Sequence, residues 1–204
     1  MEIAKHLLTT LAAYLLGSLP IGYLMGKLYG VDVRLHGSGR TGGTNVWRAT
    51  GQIWPPLFTI LGDAGKGLLA VWIGRRLGGT ELAAALAGVA AVLGHNWPVF
   101  LRFKGGAGGI AAGACLLMLN PTVGAITIPV SLLALYLSHY ASVGTLAIGA
   151  GGFLVMLILR ISFPALAPPV HLLFGALTTA AIAYALRPNL TRLIRGTERR
   201  ITLW

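Results

Sequence analysis

Two short segments concentrate the residue types that bind anions. In the first, Gly37, Ser38, Gly39, Arg40, Thr44, Asn45 and Arg48 fall within residues 37–48. Glycines let the backbone turn its N–H groups toward an anion. Ser38, Thr44 and Asn45 add short polar donors, and Arg40 and Arg48 supply charge suited to phosphate oxygens. The second segment, residues 102–109, reads Arg-Phe-Lys-Gly-Gly-Ala-Gly-Gly. Lys104, Gly105, Gly106 and Gly108 precede an apolar run, as a phosphate nest at a helix N-terminus would require. Each segment also has a plainer reading. The first could be an interfacial turn with snorkelling arginines. The second could be a helix-packing surface, because Gly105, Gly109 and Gly113 recur every four residues.

Other chemistries are poorly provided for. Gly37, Gly39 and Gly42 satisfy G-x-G-x-x-G formally, but no strand or βαβ unit surrounds them. The lysine of the second segment is not followed by Ser or Thr, so it is not a Walker A loop. No His is followed five positions later by Asp, which excludes the H-x-x-x-x-D signature of acyl-CoA-dependent glycerolipid acyltransferases. H-E-x-x-H, G-x-S-x-G and acidic metal clusters are missing too, so neither a metal nor a cofactor is expected. His95 and His139 read as hydrogen-bonded helix ends, and the single Cys115 as a packing residue. An enzyme built this way would work by positioning and electrostatics rather than through a covalent nucleophile.

The elements that must position these loops are legible from hydrophobicity. The chain has 204 residues, 55% hydrophobic and 10% charged, with mean hydropathy +0.76. Soluble domains carry about a quarter charged residues. The pattern predicts an all-α, polytopic membrane bundle forming a single domain, residues 1–204. Seven spans are expected, near 6–28, 53–74, 82–101, 107–119, 122–138, 143–159 and 169–186. Asn120-Pro121 is the expected turn between the fourth and fifth. Glu2, Lys5 and His6 precede an apolar stretch as in a signal peptide, but no small-x-small cleavage site follows, so the first span is expected to be retained.

Net charge is +11, with Glu2, Asp32, Asp63, Glu81 and Glu198 the only acids. Seven spans put Arg34, Arg40, Arg48, Arg102, Lys104 and the basic tail on one side, against Lys5, Arg75, Arg76 and Arg160 on the other. The positive-inside rule then makes the N-terminus external and the tail cytoplasmic. Anionic substrates and anionic lipid head groups are the expected partners. Nucleic acid is not, because no basic helix or aromatic platform lies outside the membrane. Asp63 and Lys66, one turn apart inside the second span, read as an ion pair that stabilises the bundle. Gly22, Gly26 and Gly30 form a small-xxx-small packing face.

Several motifs together resemble one family. They are Leu16-Gly-Ser-Leu-Pro20, the loop from Gly37 to Arg48, Asp63-Ala-Gly-Lys-Gly67, Gly94-His-Asn-Trp-Pro-Val-Phe100, Phe103-Lys-Gly-Gly-x-Gly108 and the stretch from Asn189 to Glu198. In that order they look like the bacterial acyl-phosphate:glycerol-3-phosphate acyltransferases, over nearly the whole chain. The resemblance implies a seven-helix protein of the bacterial inner membrane whose active site faces the cytoplasm. It also implies transfer of a fatty acyl group from acyl phosphate to the sn-1 hydroxyl of glycerol 3-phosphate, giving lysophosphatidic acid for phospholipid synthesis, by a chain that works as a monomer. Carried over by motif, Ser38, Arg48 and Asn189 would be catalytic. Gly37, Gly39, Arg40, Thr44, Asn45, Lys104, Gly105, Gly106, Gly108 and Ser142 would bind substrate. Several positions depart from the family pattern. Ala107 stands where a lysine is usual, Arg40 where an asparagine is usual and Gly43 where an alanine is usual, and Ala185-Leu-Arg-Pro188 stands where Arg-His-Arg-Glu is usual, so that Leu186 and Pro188 replace the histidine and glutamate. We expect Arg40 to replace the charge missing at 107. A diverged paralogue with another acceptor or weak activity, or a transporter of a phosphorylated solute, are the alternative readings.

Overall fold

A computed structural model describes residues 2–202, and all the regular structure in them is helical. The first span is broken. Helix α1 (Glu2–Gly17) ends before Ser18-Leu19-Pro20, and α2 (Ile21–Leu28) resumes after the proline, whose missing N–H cannot continue the ladder. A short amphipathic helix, α3 (Gly43–Thr50), leads into α4 (Trp54–Gly78), α5 (Glu81–Asn96), α6 (Gly109–Leu119) and α7 (Pro121–Ser138). Helices α8 (Ala141–Leu146) and α9 (Gly152–Ser162) join through a π turn, Ala147–Gly151, into one rod. Helix α10 (Pro169–Ala185) bends by 65° into α11 (Arg187–Ile194).

Among the described residues, five stretches are long and apolar enough to cross a bilayer, and six if α10 and α11 count as one. Helix α6 has only 11 residues, about 16 Å at 1.5 Å per residue. Two polar layers mark the two ends of the bundle. At one end, Arg75 binds Glu81 (Nε–Oε1 2.7 Å) and donates to the carbonyls of Met118 (3.1 Å) and Leu119 (3.3 Å). His6 meets Thr80 there, and Asn120 donates to the Leu166 carbonyl. At the other end, Arg40 donates to the Gly106 carbonyl, and the Ile201 amide donates to the His139 carbonyl. Between these layers the described chain passes seven times: α1–α2, α4, α5, α6, α7, the α8–α9 rod and α10. The shortness of α6 is made up by the glycine segment ahead of it, which dips into the bundle. Gly105, Gly106 and Gly108 are all buried.

Asn120 separates α6 from α7 as its sequence suggests: its side chain accepts from the Val123 amide and caps α7. The core is made of small residues, with Ala83, Ala84, Ala87 and Ala91 of α5 wholly buried. Large apolar side chains such as Leu7, Leu11, Leu132 and Leu137 face outward. That inside-out distribution suits a lipid surround, where close backbone approach replaces the hydrophobic effect as the packing force. Asp63 and Lys66 do pair, at 2.8 Å with both side chains nearly inaccessible. Lys66 also donates to the Leu19 carbonyl in the break of the first span.

Candidate active site

The first loop is seated on α2. A side chain at Gly22 would collide with the Thr41 carbonyl, and one at Gly26 with Val33 and the Val31 carbonyl. The small face of this helix therefore packs against the loop, and at Gly22 against Thr59 of α4 as well. Gly30, at φ +75°, serves the turn that follows. Asp32 caps a 3-10 turn, Val33–Leu35, and binds Arg34 at 2.7 Å and Lys27 at 3.8 Å. The Arg34 guanidinium holds the Asp32 carboxyl well below the usual carboxylate range. One carboxylate thus pairs with two of this face's cations, whereas among the described residues Arg40 and Arg48 form no ion pair.

Asn45 organises the rest of the loop from within. Its Oδ1 accepts from the Ser38 amide (2.8 Å), and its Nδ2 donates to the carbonyls of Val33 and Arg40 (2.8 Å each). It is buried, with all its usual partners inside the protein. Asn45 thus shapes the loop from within. Gly37, at φ +53°, packs against the Asn45 carbonyl oxygen and along the Arg48 side chain. Thr44 lies half-buried in the first turn of α3.

The second loop is folded back on the end of α5. The Gly105 amide donates to the Asn96 carbonyl (3.2 Å) and the Gly106 amide to the His95 carbonyl (3.0 Å). These two N–H groups are engaged within the protein. Their need for glycine is steric. A Cβ at Gly106 would fall inside the His95 imidazole, and one at Gly105 against the His95 carbonyl and Pro98. His95 is in turn fixed by Asp63, Nδ1 to Oδ1 at 3.3 Å. Gly108, at φ +82°, is the N-cap of α6 and has no side chain to bond the first-turn amides. Those of α6 are the orphan donors that remain at this helix end.

The Arg40 guanidinium joins the two loops to the end of α10. Nη1 donates to the Gly106 carbonyl (2.9 Å); Nη2 donates to the Ala185 carbonyl and to Asn189 Oδ1 (3.4 Å). Burial and the nearby Arg192 charge lower its pKa, with Glu198 opposing. The positive charge thus lies at the Gly106 carbonyl, one residue from Ala107. Asn189, buried in α11, donates to Glu198 Oε1 (2.7 Å), while Arg192 holds Glu198 Oε2 (2.8 Å). Ser142, in the first turn of α8, donates to Glu198 Oε1 at 3.5 Å. Arg48 reaches the tail, donating to the carbonyls of Arg199 (3.4 Å) and Arg200 (3.1 Å). Burial lowers its pKa as well.

Together these segments enclose a cavity of about 330 Å³. Ser38, Gly39, Arg40, Lys104, Gly105 and Asn189 line it, as do Arg187 and Arg192. Trp97, Phe103 and Tyr184 form an aromatic wall, with Trp97 and Tyr184 edge to face at 5.6 Å. Gly37, Thr44, Asn45, Arg48, Gly106, Gly108 and Ser142 stand behind the lining. Sequence reasoning missed Arg187, Arg192, Asn96 and Glu198. The last had a signal: it is the lone acid in a strongly basic tail.

The fold has counterparts among known proteins. The glycerol-3-phosphate acyltransferase profile matches residues 7–196. The chain belongs to the glycerol-3-phosphate acyltransferase family. Members named glycerol-3-phosphate acyltransferase include one from Symbiobacterium thermophilum, 40% identical over 199 residues, which are 98% of this chain and 96% of that one. Another, from Thermus thermophilus, is 40% identical over 194 residues, 95% of this chain and 94% of its own. The crystal structure of PlsY, an integral membrane glycerol 3-phosphate acyltransferase, in its glycerol 3-phosphate form superimposes with a TM-score of 0.85 at 34% identity, covering 96% of this chain and 95% of that one. Its lysophosphatidic acid form gives 0.82 at 33% identity, with the same coverage. The chain is thus an acyltransferase of the membrane-integral type. Leu186 is a core residue, 2% exposed, so its position supplies no polar group to the cavity.

Proposed function

We propose that the protein transfers a fatty acyl group from acyl phosphate to the sn-1 hydroxyl of glycerol 3-phosphate, releasing phosphate and lysophosphatidic acid. The observation that carries this reading is the cavity's mixed lining: Arg40, Lys104, Arg187 and Arg192 supply cations and Trp97, Phe103 and Tyr184 supply apolar surface, with the Arg187 guanidinium stacked on the Tyr184 ring at 3.5 Å. Such a cavity suits two phosphate groups together with the head of one acyl chain.

Acyl phosphate is a mixed anhydride, so no enzyme nucleophile is needed. The glycerol hydroxyl oxygen attacks the acyl carbon and forms the ester bond. The acyl carbon–oxygen bond to phosphate breaks, and the departing phosphate takes the hydroxyl proton. The protein's part is to hold two mutually repelling anions in contact and orient the hydroxyl. Ser38, whose amide is held by Asn45, is placed to meet one phosphate or hydroxyl group. Lys104, exposed at the rim, offers a mobile ammonium. Asn189 is held between Arg40 and Glu198, so its orientation is set by charges on both sides. Arg48 acts by anchoring the tail that carries Glu198, and Ser142 by bracing that carboxylate.

The charge distribution supports a plasma-membrane protein with this cavity on the cytoplasmic side and the N-terminus outside. The test is the purified protein in detergent with palmitoyl phosphate and glycerol 3-phosphate, following phosphate release. Turnover with palmitoyl phosphate and none with palmitoyl-CoA is expected. No turnover beside an active control enzyme rejects the reading.

A further inference from the structure

Asn96 is the last residue of α5, and its side chain is 3% exposed. Among the described residues its Oδ1 and Nδ2 are both buried without a hydrogen-bond partner. Well over nine-tenths of buried polar groups in folded proteins are satisfied, and an orphaned amide asks for a reason. Packing alone does not supply one, since an aliphatic side chain of similar size would fill the same space without the desolvation cost. The amide's position offers another. Asn96 borders the cavity beside Gly105. A Cβ on Gly108 would come within 2.6 Å of its Oδ1, so the amide lies against the N-cap of α6.

The neighbouring backbone makes this placement more pointed. Gly105 and Gly106 have their N–H groups committed to the end of α5, and Lys104 donates to the Leu101 carbonyl. The glycine loop thus offers fewer donors than its sequence suggests. What remains at this spot is the N-terminal end of α6, an 11-residue helix with no side-chain cap, and the amide of Asn96. Helix N-termini favour anions. A neutral amide adds a directed donor without a second charge, and its two ends can exchange by rotation to present N–H.

We infer that Asn96 is a further substrate-binding residue of this acyltransferase, its side-chain N–H donating to a phosphoryl oxygen of the acyl phosphate bound in the cavity that Asn96 borders. The inference rests on the acyl-phosphate reading of the donor. Losing one hydrogen bond to a charged oxygen weakens binding roughly ten- to a hundredfold.

The experiment compares wild type, Asn96→Ala and Asn96→Asp in detergent, with palmitoyl phosphate and glycerol 3-phosphate each varied in turn. Asn96→Ala raises KM for palmitoyl phosphate about tenfold or more and leaves KM for glycerol 3-phosphate near wild type. Asn96→Asp keeps the shape but places a carboxylate against the anion, so it is the worse of the two. A purely structural asparagine raises both KM values together and lowers thermal stability, with no selectivity for palmitoyl phosphate, because an unpaired buried carboxylate is costly in either case. Asn96→Asp milder than Asn96→Ala, or both KM values rising in parallel, overturns the proposal. Inorganic phosphate, the leaving group, provides a second measurement by titration calorimetry or by its protection against thermal unfolding. Weaker phosphate binding in both variants is expected, whether or not palmitoyl phosphate is turned over, and unchanged binding refutes the role. Wild type that binds phosphate but does not use palmitoyl phosphate removes the donor reading separately.

Discussion

Replacing Arg40 by lysine separates two roles that the sequence could not tell apart. Arg40 brings a charge to within one residue of Ala107, and it also ties three chain segments through the carbonyls of Gly106 and Ala185 and Asn189 Oδ1. The bond to Asn189, at 3.4 Å, is weak by length. The two carbonyl bonds are charge-assisted, and each such bond contributes about 1.5–3 kcal/mol at most. The lower end applies here, because the guanidinium is half-buried beside a cavity of about 330 Å³ into which water can follow. A water occupies about 30 Å³, so freed carbonyls are rehydrated. Arg40→Ala then loses about 2–3 kcal/mol of constraint on the pocket walls, or roughly a hundredfold in kcat/KM if the loss appears wholly in the transition state. A lysine ammonium keeps the charge but lacks the planar fork that spans both carbonyls. Arg40→Lys therefore loses about half as much, roughly tenfold. The assay is phosphate release in detergent, with both substrates varied and the melting temperature recorded in parallel. Ala107→Lys added to Arg40→Ala returns charge to the second loop but not the tie to Ala185, so KM recovers while kcat does not. Wild-type kinetics and melting in Arg40→Lys would show that only the charge matters, and the bridging argument would be wrong.

Further outcomes follow from the same geometry. Asn45→Ala removes three internal hydrogen bonds from a buried position, worth about 1 kcal/mol each; the melting temperature falls even in the absence of substrate, and a loss of activity without any thermal change would contradict its scaffold role. Gly106→Ala drives a methyl into the His95 ring, an overpacking cost of about 1–3 kcal/mol, and chemical-denaturation curves should show it. Asp63→Ala leaves Lys66 buried and unpaired, costing about 3–5 kcal/mol, whereas Asp63→Ala with Lys66→Met recovers much of the loss; equal destabilisation of the single and double variants in thermal melts would exclude a mainly structural pair. Arg48→Ala frees the tail at Arg199 and Arg200, so limited proteolysis cuts the tail faster and kcat drops; a tail as resistant as wild type refutes the anchor.

Much of the architecture was written in the order of the residues. The apolar runs and their charged flanks determined a polytopic helical bundle, since backbone polar groups in lipid must be satisfied within helices. Asn120-Pro121 marked the break between α6 and α7, and charge asymmetry required an odd number of crossings. The two glycine-rich loops could be assigned to one face for the same reason. Local sequence could not show how those loops close, because their hydrogen-bond partners are distant in the chain. The run of glycines at Gly105 and Gly106 does not reveal that the end of α5 accepts their N–H groups. Nor does Asn45 reveal that Val33, Ser38 and Arg40 are its partners. Asn96, inside a motif that drew notice for its histidine, becomes interesting only when the tertiary fold leaves its amide without a partner. The sequence by itself determined the membrane, the helices and the basic face, all of which follow from local hydrophobicity and charge. Only the tertiary structure decided which polar groups hold the protein together and which are left for a substrate, because a hydrogen bond between residues tens of positions apart depends on how the helices pack.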